Sequence, residues 1–216
     1  MIVTIDGPAG SGKSSAARQL ARRLGFQFLD TGAMYRAVAL AGQREDVDWD
    51  APDQLAQIAQ KSQIELSQDR ILLDGQDVTQ EIRTVEITQL TKYAADNTQV
   101  RKILVEAQRK FAEGQDVVAE GRDQATVVFP QAQCKIFLTA DEKVRAQRRF
   151  LDLVSRGERV TLDSVLDNQR IRDQQDEERR IGGLRKADDS IEIHTNGMTP
   201  AQVVERLEAL VRERMH

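Results

Sequence analysis

Short apolar runs alternate with longer amphipathic stretches along this chain, the pattern of an α/β fold on a mainly parallel sheet. Runs at Ile2–Asp6, Gln27–Asp30, Asp116–Glu120, Lys135–Thr139 and Ile191–Thr195 predict strands. Several show no polar alternation, as expected of strands covered on both faces. Periodic stretches predict helices over Lys13–Leu24, Ala33–Ala41, Thr84–Lys92, Gln99–Glu113, Asp141–Leu153, Leu162–Arg180 and Pro200–Met215. The last sets Val203, Val204, Leu207, Leu210 and Val211 at helical spacing and reads as a packing helix.

One segment breaks the alternation. Gln63–Ser67 and Arg70–Val78 predict antiparallel strands with tight turns at Gln68-Asp69 and Asp74-Gly75. With a helix over Gln54–Lys61 before them, they form a small α+β insert, about 58–83, in a single domain. The polar stretch Ser155–Thr161 separates two helical patterns and suits a mobile lid, about 150–164.

The chain has 216 residues, 40% of them hydrophobic, enough to bury a core without staples. Its formal charge of −4 argues against a dedicated nucleic-acid binder, which shows a basic excess. The single cysteine, Cys134, excludes an internal disulfide and a cysteine-rich zinc site. No apolar run approaches the ~20 residues that span a bilayer, and the opening Met1–Asp6 lacks a signal-peptide pattern. The expectation is a soluble cytoplasmic protein with no membrane partner.

Chemistry enters with Gly7-Pro8-Ala9-Gly10-Ser11-Gly12-Lys13-Ser14, which fits G-x-x-x-x-G-K-[ST] between a predicted strand and a predicted helix. Glycines let the backbone wrap phosphate oxygens with several N–H groups pointing inward. The helix adds its positive end. Lys13 supplies a cation toward the β- and γ-phosphates, and Ser14 suits a Mg²⁺ ligand. A plain glycine-rich turn would not need Lys and Ser in this register. The motif implies a nucleoside triphosphate with Mg²⁺.

Two other strand ends carry polar groups at the rim where α/β sheets bind ligands. The first is Asp30-Thr31-Gly32-Ala33-Met34-Tyr35-Arg36, where Arg36 suits a second anion and Tyr35 a base or sugar. Asp30 or Thr31 is equally readable as a helix cap. The second is Glu120-Gly121-Arg122-Asp123. An Asp that accepts from an exocyclic amine, beside an Arg that donates to ring nitrogen or carbonyl, has the polarity of cytosine. A structural Arg–Asp pair is the alternative. Glu120 is a candidate to hold Mg²⁺, directly or through water.

The last third is rich in arginine: Arg145, Arg148, Arg149, Arg156, Arg159, Arg170, Arg172, Arg179 and Arg180. Asp173, Asp176, Glu177 and Glu178 could pair many of them at i,i+4 spacing on a solvated face. Phosphoryl transfer, however, needs several fixed cations, and Arg156 and Arg159 lie where a lid would close.

In order and spacing these segments resemble the bacterial cytidylate kinases, nucleoside monophosphate kinases that use ATP to phosphorylate CMP and dCMP. The resemblance covers essentially the whole chain. It runs through Ile5–Ser14, Leu29–Arg36, Glu81–Thr84, Glu120–Asp123, Thr126–Pro130, Lys135–Ala140 and Ala187–Asp189. It implies a P-loop NTPase-type parallel five-stranded sheet with flanking helices, a monophosphate-binding insert and a short lid. Gly7, Pro8, Ala9, Gly10, Ser11, Gly12, Lys13, Ser14 and Ser15 would bind ATP. Thr31, Arg122 and Asp123 would read the cytosine. Tyr35, Arg36 and Arg101 would line the monophosphate site, Arg172 and Asp176 would contact the sugar, and Arg179 would approach the transferring phosphates. Ala125 stands where the family usually has glycine, and Thr91-Lys92 where a small hydroxyl residue is expected near the sugar.

The implied reaction is in-line transfer to an oxygen of CMP's phosphate, within pyrimidine nucleotide metabolism. That oxygen is already anionic near neutral pH, so no general base is required. Lys13, Mg²⁺, Arg122, Arg172 and Arg179 would carry the electrostatic work, while His194 and His216 read as incidental. Kinases for UMP, AMP or shikimate, and a nucleotide-dependent switch, are competing readings. The expected substrates are ATP and CMP or dCMP, with no nucleic-acid partner. A monomer is expected, because no heptads or long exposed apolar stretch stand out.

Overall fold

The computed structural model describes residues 1–67, 70–155 and 157–215. The turn expected at Gln68-Asp69, the lid residue Arg156 and His216 lie outside the described residues. The chain divides into two compact units, one formed by residues 1–26 and 116–216, the other by 27–115. The parallel sheet numbers five strands. Four of them belong to the first unit.

In the first unit the strands are β1 (Ile2–Asp6), β6 (Val117–Gly121), β7 (Cys134–Thr139) and β8 (Ile191–His194), in spatial order β6-β1-β7-β8. All three neighbour pairs are parallel, with Ile5 opposite both Glu120 and Ile136. Val3, Ile5, Val117, Val118, Ala119, Ile136 and Leu138 are fully buried, as the unbroken apolar runs require. Helix α1 (Lys13–Leu24) and helix α8 (Pro200–Arg212) pack together. Leu20 and Leu207 are completely buried, and each such leucine contributes roughly 1.5–3 kcal/mol. A capping box at Thr199 and Gln202, with Pro200 behind it, sets the start of α8. Helices α6 (Glu142–Ser155) and α7 (Leu162–Glu178) pack through Ala146, Leu153 and Val165.

The second unit holds β2 (Gln27–Asp30), α2 (Thr31–Arg44), α3 (Pro52–Lys61), α4 (Val85–Asp96) and α5 (Thr98–Ala112). Strands β3 (Ile64–Leu66), β4 (Ile71–Leu73) and β5 (Gln76–Asp77) make a small sheet, antiparallel at both pairings. Asp74 and Gly75 turn between β4 and β5 at φ +50° and +78°, the two-residue hairpin that Asp-Gly favours. A single turn of 3₁₀ helix at Glu81–Arg83 follows.

Boundaries differ from the sequence reading where caps decide them. Helix α2 begins at Thr31 rather than Ala33, because Asp30 caps it by accepting from the Ala33 N–H at 2.8 Å. Helix α4 continues to Asp96, and α7 stops at Glu178 rather than Arg180. A π-helical turn, Gln124–Val128, follows β6. No helix among the described residues is long and apolar enough to cross a membrane.

Candidate active site

The loop between β1 and α1 is shaped by what its glycines permit. Gly7 has φ +153°, and a Cβ there would lie 2.0 Å from the Leu138 carbonyl oxygen of β7. The loop can therefore lie against the sheet only with hydrogen at this position. Gly12, at φ +90°, is the N-cap of α1 and faces open space. Lys13 is buried and donates to the Pro8 carbonyl at 3.1 Å. Ser14 Oγ donates to Glu120 Oε1 at 2.8 Å, so the hydroxyl and carboxylate singled out in the sequence meet. The Ser11 hydroxyl is buried with no side-chain partner.

The loop is held from α6. Arg145, itself buried, donates to the Ala9 carbonyl at 2.9 Å and the Ala140 carbonyl at 3.0 Å. The same guanidinium pairs with Asp173 of α7 at 2.6 Å. Arg148, one turn later, donates to the Thr195 hydroxyl and carbonyl at 2.9 and 2.7 Å. Beside the loop lies a cavity of about 150 Å³, lined by Ser11, Gly12, Ser15, Arg148, Thr195 and Met198 among others.

A second knot joins β6 to α7. Arg122 Nε donates to Asp176 Oδ2 at 2.7 Å, and Arg179 Nη1 donates to Asp176 Oδ1 at 3.0 Å. Spacing puts Arg172, Asp176 and Arg179 on one face of the α7 end. Burial opposes the Asp176 charge, but Arg122, Arg179 and Arg172 overcome it and hold its pKa down to about 2. Burial likewise opposes the Arg122 charge, and Asp176 more than compensates, so its pKa is raised. Burial, reinforced by the fields of Arg122 and Arg172, lowers the Lys13 pKa to about 7, against Glu120 and Asp176. Lys13 therefore lies in the combined field of Arg122 and Arg172 on one side of the balance and Glu120 and Asp176 on the other.

The ion pairs correct one expectation. Pairing at i,i+4 spacing on a solvated face is one of the two readings the α7 acids allow. Instead Asp173 binds Arg145 of α6 and Asp176 binds Arg122 at the end of β6, besides Arg179 three residues on. Tertiary packing buries this face, and burial selects the long-range partners. Asp123 is buried next to Arg122. The Asp6 carboxylate, which the sequence reading passed over, accepts from the Gln124 N–H at 3.0 Å and the Ala125 N–H at 2.8 Å. Ala125 lies inside the π-helical turn, and among the described residues only Asp46 and Asp74 have positive φ without being glycine. Alanine in this position is therefore unstrained.

In the other unit, Asp30 caps α2 and also receives Arg36 Nη2 at 3.5 Å. Arg36 lies close over Gly32, where a Cβ would stand 3.2 Å from Nη1. Its Nε is buried without a partner. Thr31 and Tyr35 are buried, and the Arg101 guanidinium sits 5.4 Å from the Tyr35 ring centroid while donating to the Ala95 carbonyl at 3.1 Å. The Thr91 hydroxyl is turned back to the Ile87 carbonyl, and Lys92 lies over the Tyr93 ring at 4.9 Å. Arg159, from the expected lid, is exposed between α6 and α7.

The cytidylate kinase family model matches residues 3–213 of this chain. A protein named cytidylate kinase from Rhodopirellula baltica is 48% identical over 213 residues, covering 99% of this chain and 93% of that protein. One of the same name from Caldanaerobacter subterraneus subsp. tengcongensis is 44% identical over 211 residues, covering 98% and 94%. A third, from Geobacter sp. strain M21, is 43% identical over 219 residues, covering 100% and 94%.

Proposed function

The chain belongs to the cytidylate kinase family, and from that premise we propose that it transfers the γ-phosphoryl group of ATP to CMP or dCMP. The products are ADP and CDP or dCDP, and the setting is pyrimidine nucleotide metabolism. The observation that carries the reading is the set of basic groups at the strand ends: the buried Lys13 of the phosphate loop, with the half-buried Arg122 and Arg179 both paired to Asp176.

As proposed, the N–H groups of residues 7–15 and the Lys13 ammonium hold the ATP phosphates. The cavity beside Gly12, Ser15, Arg148 and Met198 takes the rest of the nucleotide. Ser14 and Glu120 would hold Mg²⁺. They fit it, because a hydroxyl and a carboxylate 2.8 Å apart are the hard oxygen donors this ion takes. When bound, Mg²⁺ supplies neutralisation of the phosphate charge. The acceptor oxygen is already anionic, so the residues need only align it and offset charge repulsion. Arg122, Arg172 and Arg179 do that at the transferring group.

For the acceptor, Thr31, Arg122 and Asp123 would contact cytosine, Arg172 and Asp176 the sugar, and Tyr35, Arg36 and Arg101 the monophosphate. The buried, unpartnered Nε of Arg36 is a donor still available for a phosphate oxygen. Arg156 and Arg159 would close over the reactants as a lid, about 150–164, with the monophosphate-binding insert about 58–83. The proposed enzyme is a cytoplasmic monomer acting on small molecules, without nucleic-acid or membrane partners.

The test is product identity. Chromatography after incubation with Mg·ATP and CMP should give ADP and CDP in equal amounts. ADP with inorganic phosphate and no CDP would contradict the proposal.

A further inference from the structure

Asp6 ends β1 and immediately precedes Gly7, the first residue of the phosphate loop. Its carboxylate is about as buried as any polar group in the chain, at 1% exposure. One oxygen accepts the Gln124 N–H at 3.0 Å and the other the Ala125 N–H at 2.8 Å. These two N–H groups belong to the residues directly after Arg122 and Asp123. The Asp123 carbonyl is in turn taken by the Val127 and Val128 N–H groups at 2.8 and 3.2 Å. The backbone that follows Asp123 is thus held in two ways, and one of them is a side chain from the strand that launches the phosphate loop.

We propose that Asp6 is a positioning residue for the acceptor, holding the backbone that presents Arg122 and Asp123 to the cytosine in register with the phosphate loop. This rests on the reading of Arg122 and Asp123 as the cytosine-contacting pair. The two-acceptor requirement explains the residue type. Two adjacent N–H groups need two oxygens at once, and asparagine offers one acceptor and one donor. Leaving either N–H unmet in a dry site would let the turn shift, and a displacement near 1 Å at a reacting group is expensive in rate.

Burial, aided by the nearby Asp123 charge, pushes the Asp6 pKa up to about 7 despite the two N–H bonds and Arg122. In Asp6→Asn the relief of that burial penalty offsets part of the cost of the N–H group that asparagine leaves unmet.

The experiment measures kcat and KM for CMP, and the Kd of ATP without acceptor, in wild type, Asp6→Asn, Ala125→Pro and Asp123→Ala. Asp6→Asn should raise the KM for CMP about tenfold, the size of one lost charge-assisted hydrogen bond. Its Kd for ATP should move less than about twofold. Ala125→Pro deletes one donor from the first turn of a helical segment, where proline is tolerated, and leaves Asp6 intact. It should show the same split between CMP and ATP, and it decides the matter if Asp6→Asn does not fold. Parallel loss of CMP and ATP binding overturns the inference, as does an unchanged KM for CMP in a folded variant. Asp123→Ala separates the two claims. If it leaves the KM for CMP unchanged, the cytosine reading itself fails; if it raises that KM and Asp6→Asn does not, only the inference fails.

Discussion

Arg122 and Asp176, 54 residues apart in sequence, meet at 2.7 Å between Nε and Oδ2. This pair fixes the end of β6 to the end of α7, and with Arg179 it fixes two cations where phosphate charge is expected. The cations hold the Asp176 pKa at about 2, below the ordinary 3.8. Since the folded value is the lower one, the unfolded chain binds more protons between them, and stability falls as pH drops through that window. The wild-type advantage over Asp176→Asn should therefore shrink by about 2 kcal/mol between pH ~6 and pH ~2. Denaturant titrations of both proteins across that range measure it, and a constant difference would contradict it.

Arg145 ties the Ala9 carbonyl of the phosphate loop to Asp173. Removing its charge with Arg145→Met should cost about 3 kcal/mol of stability, because Asp173 loses its buried partner. The loop also loses a strut, so the KM for ATP should rise more than the KM for CMP. Chemical denaturation and steady-state kinetics on the one variant test both effects.

Gly7 and Gly12 share a positive φ but not a neighbourhood. Gly12→Ala meets nothing within 4 Å and should cost about 1 kcal/mol of backbone strain. Gly7→Ala would drive a Cβ to 2.0 Å from the Leu138 oxygen, so the loop or β7 must move. ATP binding, followed by calorimetry, should survive weakened in the first variant and vanish in the second.

Lys13, with its pKa lowered to about 7 by burial and by Arg122 and Arg172, is mostly neutral at pH 8 in the free protein. Polyphosphate oxygens favour the ammonium and raise that pKa. Binding of Mg·ATP at pH 8 should therefore take up about one proton. The dependence of binding enthalpy on buffer ionisation enthalpy reads the uptake directly. Lys13→Met should abolish it, and no uptake by the wild type would show that the lysine is charged throughout.

Much of the scaffold was legible because its signals are local. The apolar run of β1, the loop glycines, the start of α1 and the Asp74-Gly75 hairpin each carry their own chemistry within a few residues. Ser14 and Glu120 were each legible as Mg²⁺ candidates, but their meeting depends on β1 and β6 being neighbours in the sheet. What stayed hidden was pairing at a distance. Nothing near Asp173 says that its partner is Arg145, 28 residues earlier, and the helical spacing offered nearer arginines instead. Asp6 sits inside a motif whose other residues account for it, so no signal marked a carboxylate aimed at Gln124 and Ala125. The glycine question at Ala125 needed the backbone itself, because a π-helical turn has no short sequence signature.

The central claim is that the strand-end arginines and Asp123 read a cytosine monophosphate next to a bound triphosphate. Its most direct test is ADP release from Mg·ATP with CMP, dCMP, UMP, AMP and GMP as separate acceptors, alongside a control without acceptor. The account predicts strong stimulation by CMP or dCMP and little by the purine monophosphates, with slow hydrolysis in the control. Equal, weak hydrolysis in every tube would contradict it and leave a nucleotide switch as the better description.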